Sequence, residues 1–321
     1  MAKLKAITPQ DAAEHLEKVH QVFKLLKTKD VYQGDSGFSA DKEAIIKVFN
    51  NTNGFDKADI LVRLTLIDSM YSTQMNRRYY ALDELAGAMA KLANGEEYKL
   101  KQMFLDFSKT PNDSLQHFEY TEKVKNDKGE ITVNNKNLFS ECYGIGKDGE
   151  DKGVAISLIS KYAYFLTDFN FPIYDSIACE MFPLVTHYCG WEELKNTKLV
   201  SSKNGKIQGA ETMVLFVNAI NSLIEKLNYK GVNYDLLDRF LWFVGKIRRG
   251  NLSLVLTREA YETVMILYPP LKYQKTNKNG KTKTITEHFN IDRVDINKIS
   301  FLEKDCILRL FFELAKFYGH K

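Results

Sequence analysis

Residues 59–77 read Asp59-Ile60-Leu61-Val62-Arg63-Leu64-Thr65-Leu66-Ile67-Asp68-Ser69-Met70-Tyr71-Ser72-Thr73-Gln74-Met75-Asn76-Arg77. Six of the eight residues from Ile60 to Ile67 are apolar. They fall on several sides of a 3.6-residue helix, the pattern of a helix buried at the centre of a helical protein. The polar run after Tyr71 ends it. A second helix is predicted at once, from about Arg78 to Leu92, with Leu82, Leu85, Met89 and Leu92 on one stripe.

Working outward, Thr8 is an N-cap, Pro9 takes the first helical position and Asp11 lies in the first turn of an opening helix that carries Leu16, Val19, Phe23 and Leu26. Val31–Ala40 reads as a loop, with Ser39 capping a helix through Val48. Thr121–Asn135 is polar and reads as a hairpin or exposed loop around Asp127-Lys128-Gly129. Gly144–Gly153 is a second polar loop, and an apolar helix follows from Val154 to Thr167. Phe171-Pro172-Ile173-Tyr174 is extended, because the residue before proline avoids the helical region, and Asp175 starts the next helix. Further helices are predicted at 209–227, 233–245 and 301–318. Residues 252–257 and 262–268 read as short strands or helix, and Tyr273–Thr286 as a lysine-rich loop.

The chain has 321 residues, an apolar fraction of 44% and only 24 Gly and Pro together, which excludes wholesale disorder and favours long helices over turn-dense β structure. No stretch reaches the 18 or so apolar residues that span a bilayer, so no membrane partner is expected. The cysteines at 142, 179, 189 and 306 match no zinc or iron–sulfur spacing. The expectation is a cytoplasmic monomer with reduced thiols, no cofactor and no metal. Lysine and arginine number 45 against 41 acids. That near-balance hides a local excess: residues 263–286 hold five lysines and no acid, and Lys246, Arg248 and Arg249 form a second basic cluster. Such stripes, rather than the total, mark a surface for phosphates.

Two segments carry chemistry. The first is Leu66–Arg77. The second is Ile159-Ser160-Lys161-Tyr162-Ala163-Tyr164-Phe165-Leu166, followed by Phe171-Pro172-Ile173-Tyr174-Asp175-Ser176. Together, in this order and spacing, they resemble the helix-hairpin-helix DNA glycosylase superfamily, of the endonuclease III and 8-oxoguanine glycosylase type, over roughly residues 56–245. The resemblance implies a mostly α, two-lobed helical bundle with short β elements in loops and in the C-terminal region. It divides the chain into N-terminal helices (1–55), the glycosylase-like core (56–245) and a C-terminal accessory region (246–321).

It also implies an enzyme that flips a damaged or modified base out of double-stranded DNA and excises it, for repair or for defence against modified foreign DNA. Asp175 would be the catalytic carboxylate, stabilising positive charge on the sugar. Gln74 would be the wedge that fills the gap left by the base. Lys161 would be the assisting or Schiff-base lysine. It stands fourteen residues before Asp175, whereas the family lysine stands one helical turn further away, at the position Ser157 takes here. That shift favours a monofunctional enzyme. The resemblance places the glycine that offers backbone N–H to a phosphate at Gly153. Asn76, Arg77, Lys246, Arg248, Arg249, Lys272, Lys275, Lys278 and Lys281 are further DNA contacts, and Tyr71, Tyr162 and Tyr174 candidates for the base pocket. Two other readings stand beside this one: a non-catalytic DNA-binding protein that retains the fold, and a helical interaction protein.

Overall fold

The computed structural model describes residues 7–28, 37–52, 54–71, 73–125, 130–150, 153–203, 206–276, 282–287 and 289–317. The protein is mostly helical. In chain order the α-helices are α1 (Pro9–Thr28), α2 (Gly37–Asn51), α3 (Lys57–Tyr71), α4 (Ala81–Ala93), α5 (Glu97–Lys109), α6 (Pro111–Ser114), α7 (Ile156–Leu166), α8 (Ser176–Tyr188), α9 (Glu192–Lys195), α10 (Gly209–Leu227), α11 (Tyr234–Arg248), α12 (Arg258–Leu267), α13 (Ser300–Lys304) and α14 (Cys306–Phe317). Among the described residues three antiparallel strand pairs accompany them: β1 (Glu119–Lys125) with β2 (Ile131–Asn137), β3 (Ser202–Lys203) with β4 (Lys206–Ile207), and β5 (Leu271–Thr276) with β6 (Thr282–Glu287).

The chain gathers into two compact units, each made of separated stretches. One comprises Met1–Ala40, Ser176–Lys195 and Leu236–Lys321; the other comprises Asp41–Asp175 and Asn196–Asp235.

The second unit holds α3 to α7 and α10. Its core is continuous from Ile60, Leu64 and Ile67 of α3 through Leu85 and Met89 of α4 to Ile159 and Ala163 of α7. An aromatic group of Phe104, Phe107, Phe118, Phe139 and Phe171 fills it, with neighbouring rings 4.9–6.4 Å apart. Offset and edge contacts at such spacings add to what burial alone contributes. Helix α3 buries one side, with Ile60, Arg63, Leu64, Ile67 and Asp68, while Val62, Thr65 and Ser69 are exposed, so the all-round burial that its apolar sequence predicts is not what the fold uses. The buried Arg63 donates from Nε to Thr52 Oγ1 at 2.8 Å and lies over the Phe55 ring at 4.3 Å. Tyr234 and Asn221 close the far side, both donating to the Ser108 carbonyl, at 3.0 and 2.8 Å.

In the first unit, Thr8 and Asp11 cap α1 reciprocally: the Asp11 N–H donates to Thr8 Oγ1 at 3.1 Å, and the Thr8 N–H to Asp11 Oδ2 at 3.2 Å. Phe23 of α1 meets Phe240 of α11 at 5.2 Å, and Phe243 stacks on Phe311 of α14 at 5.3 Å. The helix predicted at 301–318 is broken at Asp305, whose carboxylate accepts from the Leu308 N–H at 3.0 Å and so caps α14 afresh. Of residues 252–257 and 262–268, read as short strands or helix, the first holds a 3-10 turn at Leu252–Leu254 and the second lies largely in the helix α12.

The lysine-rich stretch 273–286 is not a loop. Its described ends pair as β5 and β6, with Leu271 opposite Glu287 and Thr276 opposite Thr282. The alternating Thr, Lys, Tyr and Ile positions and the Asn279-Gly280 pair are hairpin signals that the lysine count obscured. The 121–135 stretch is a hairpin, as one of its two readings held.

That first hairpin is tied to α4 by charge. Glu122 of β1 accepts from Lys136 of β2 at 2.8 Å and from Lys91 of α4 at 2.9 Å. Lys136, then Lys91, hold its carboxyl down to about 2 against an ordinary 4.5. A depressed folded-state value gives stability that is complete above the ordinary value and lost as pH falls from there through about 2. The carboxylate is about a third exposed, so the effect is modest and screened by salt. Thermal melts of wild type and Glu122→Gln, run from neutral pH down to pH about 2 at low and high salt, check this. The variant should lose less stability than wild type over the acid window, and the difference should shrink in salt.

Candidate active site

Helix α3 ends at Tyr71, and a tight turn leads through Gln74 and a 3-10 segment, Met75–Arg77, to α4. One carboxylate organises this turn. Asp68, 2% exposed, accepts from the Met75 N–H on Oδ1 and from the Asn76 N–H on Oδ2, each at 2.9 Å, and from the Thr73 hydroxyl. An acid near the C-terminal end of a helix opposes the helix dipole. The backbone donors offset that penalty and fix where the turn goes. Gln74 is exposed and left-handed (φ 63°), and Arg77 Nη1 donates to its Oε1 at 3.3 Å. A glutamine in that backbone region costs about 1 kcal/mol and persists where surrounding bonds enforce it. Asn76 and Arg77 are exposed beside it.

The turn is stitched to the loop before α7. Tyr79 and Ile145 exchange backbone hydrogen bonds at 2.9 and 3.1 Å, and Cys142 pairs with Val154. Arg78 Nη1 donates to the Gly153 carbonyl at 2.5 Å. Burial pushes the Arg78 guanidinium below its ordinary value, with Cys142 and Asp68 acting in the opposite direction. Gly144 (φ +75°) lies where a Cβ would stand 2.6 Å from the Tyr79 carbonyl oxygen, so this crossing admits only glycine. Gly153 itself is exposed with open space about it, and any contact it makes to a phosphate is through its backbone.

Helix α7 carries Lys161, 3% exposed. Its ammonium donates to Ser157 Oγ at 2.8 Å, one turn back, and lies 5.8 Å from the centre of the Tyr71 ring at the end of α3. Helical side chains point toward the N-terminus. The amine therefore reaches back to the Ser157 side chain one turn earlier. Ser160, fully buried, donates to the Ser157 carbonyl at 3.0 Å and accepts from the Tyr174 N–H at 2.9 Å. That bond pins the extended 171–175 segment to α7, one residue before Asp175. Asp175 is half-buried and immediately precedes α8.

Of the three tyrosines, Tyr71 lies edge-on to Phe165 at 6.0 Å, Tyr174 edge-on to Phe216 at 5.0 Å, and both are half-buried. Tyr162 is fully buried against Phe49 at 5.3 Å. Burial pushes its hydroxyl up to about 12, with Arg63 pulling the other way. It packs the core behind the site.

The basic clusters belong to the other unit. Arg249 gives Glu180 Oε2 two hydrogen bonds, at 2.7 and 2.9 Å, and Ser176 Oγ one at 3.2 Å, while Arg248 Nε lies 3.5 Å from Glu180 Oε1. Lys246 lies over the Trp242 ring at 5.4 Å. Lys272 is exposed on β5 and Lys275 stands on the same strand; Lys278 and Lys281 lie outside the described residues. Among the described residues no group of three or more His, Cys, Asp or Glu could hold a metal ion, and no helix is long and apolar enough to cross a membrane.

The structure thus brings together Lys161, Tyr71, the Gln74 turn and the anchor of the Asp175 segment within one unit. Sequence reasoning did not single out Asp68 and Ser160 as the groups that fix this arrangement. The signal for Asp68 was present: an acid closing an apolar helix needs donors, and Thr73, Met75 and Asn76 follow. Compared with family models, curated proteins and solved structures, the chain matches none of them.

Two outcomes follow for the turn. Asp68→Asn turns one carboxylate oxygen into a donor facing N–H or O–H groups, and should cost about 1–3 kcal/mol in denaturant unfolding. Gln74→Gly relieves the left-handed backbone, so stability should hold or rise by up to about 1 kcal/mol.

Proposed function

We propose that this chain is a DNA glycosylase-like enzyme that extrudes a damaged or modified base from a duplex and cleaves its N-glycosidic bond, in repair or in defence against modified foreign DNA. The observation that carries the reading is the placement of Lys161. Lysines are almost never buried without a reason. This one lies inside a helical core, its ammonium beside Ser157 and over the ring of Tyr71, three residues before Gln74.

The roles follow from position. Positive charge develops on the sugar as the C1′–N bond breaks, and a rigidly held carboxylate stabilises it; Asp175, on a segment anchored by Ser160, takes that role. A water oxygen bonds to C1′, its proton passes to Asp175, and the base departs with the electron pair of the broken bond. Gln74, at the tip of an exposed turn, occupies the vacated place in the stack and offsets a few kcal/mol of unstacking. In a second form of the same chemistry Asp175 takes a proton from the Lys161 ammonium, the amine bonds to C1′ in place of water as the base departs with the electron pair of the broken bond, and the ring oxygen then leaves C1′ and takes a proton as the imine forms.

The test is incubation of the protein with duplexes carrying a panel of modified bases, scored for alkali-labile abasic sites. Wild type should produce them on at least one substrate, and Asp175→Asn should be slower by about 10²–10⁴-fold. Borohydride trapping then separates the two nucleophiles, since only the amine forms a reducible imine. Duplex binding without abasic sites on any substrate would sink the enzyme reading.

A further inference from the structure

The β5–β6 hairpin is a ribbon of two six-residue strands, and among the described residues no third strand pairs with it. Its register pairs Lys272 with Thr286, Gln274 with Thr284 and Thr276 with Thr282. Side chains alternate across a strand, and directly opposite residues share a face. Lys272 and Gln274 of β5 and Thr282 and Thr284 of β6 therefore share one face, and all four are exposed and none is an acid. The register also pairs Lys275 with Lys283.

We infer that this ribbon enters the major groove of duplex DNA and reads base edges with its Lys272–Gln274–Thr284 face. The inference rests on the proposed DNA substrate and adds to it a surface that reads sequence, where the lysine content alone implies only a phosphate grip. The dimensions agree. A major groove about 12 Å wide admits a two-stranded ribbon, whose strands are about 4.8 Å apart. Alternate residues on one face stand about 6.8 Å apart, close to two base-pair steps along the helix axis. Lys272 and Gln274 thus meet edges about two base pairs apart. The chemistry agrees as well. A glutamine amide pairs in bidentate fashion with adenine N6 and N7, a lysine donates to guanine O6 and N7, and a threonine contacts either a polar edge or the thymine methyl. A ribbon that only bound phosphates would need cations on this face, not an amide opposite a threonine.

The experiment uses the full chain and a duplex library with a randomised central window, selected by retention on wild type, Gln274→Ala and Lys272→Ala. All three should unfold at the same denaturant concentration, because these positions are exposed. Wild type should enrich particular bases at two positions about two base pairs apart. Gln274→Ala should flatten one of them by on the order of 10-fold while leaving total retention nearly unchanged, and Lys272→Ala should flatten the other. Duplex RNA, whose major groove is too deep and narrow for a ribbon, should compete poorly. Two results overturn the inference while the DNA reading stands: retention with the same profile in all three proteins, or competition by duplex RNA equal to that by DNA. Failure of wild type to retain any duplex at low salt overturns the DNA reading itself.

Discussion

The carboxylate of Asp68 carries the turn on which the candidate site depends. It sits near the end of a buried helix, where the dipole disfavours it, and is held by the N–H groups of Met75 and Asn76 and by the Thr73 hydroxyl. Those bonds keep Gln74 in a left-handed conformation at an exposed tip. They also set the direction in which the chain enters the Tyr79–Ile145 pairing and then α4. Without the carboxylate the turn would lose both its strain and its aim. Charge-assisted bonds to backbone donors are stronger than neutral ones, and this one replaces water that the core excludes.

A second buried polar group works in parallel on α7. Ser160 uses its hydroxyl twice, donating to its own helix and accepting from Tyr174, and so converts an extended Phe-Pro-Ile-Tyr strap into a fixed lead-in to Asp175. Lys161 stands next in sequence. A helix whose other residues from Leu158 to Leu166 pack in a hydrophobic and aromatic core gives up little motion, so groups hung on it are positioned to the precision that bond-making chemistry needs. The phenylalanine cluster stabilises the unit, while the end of α3 and the middle of α7 carry the polar groups.

Much of this was legible in the amino-acid order. The presence of helix α3, the reciprocal cap of α1 and the extended X-Pro segment each follow from local rules with a single outcome. The β5–β6 hairpin was harder, because five lysines outweighed the β-branched alternation. The break at Asp305 was hidden in a continuous apolar stripe. The contacts of Asp68, Ser160 and Arg78 with residues that a turn or a loop brings near were out of reach, since spacing along the chain does not fix which polar groups meet once buried. The pairing of Arg248 and Arg249 with Glu180 shows the same limit: a basic cluster in sequence is, in part, a neutralised one in space.

The proposed base extrusion at the Gln74 turn is tested most directly by fluorescence of a mismatched 2-aminopurine in a duplex, because emission rises when the base leaves the stack. With binding confirmed in parallel by anisotropy, wild type should raise the emission and Gln74→Ala should bind without doing so. A wild-type complex that forms at full occupancy with no rise in emission would contradict the account.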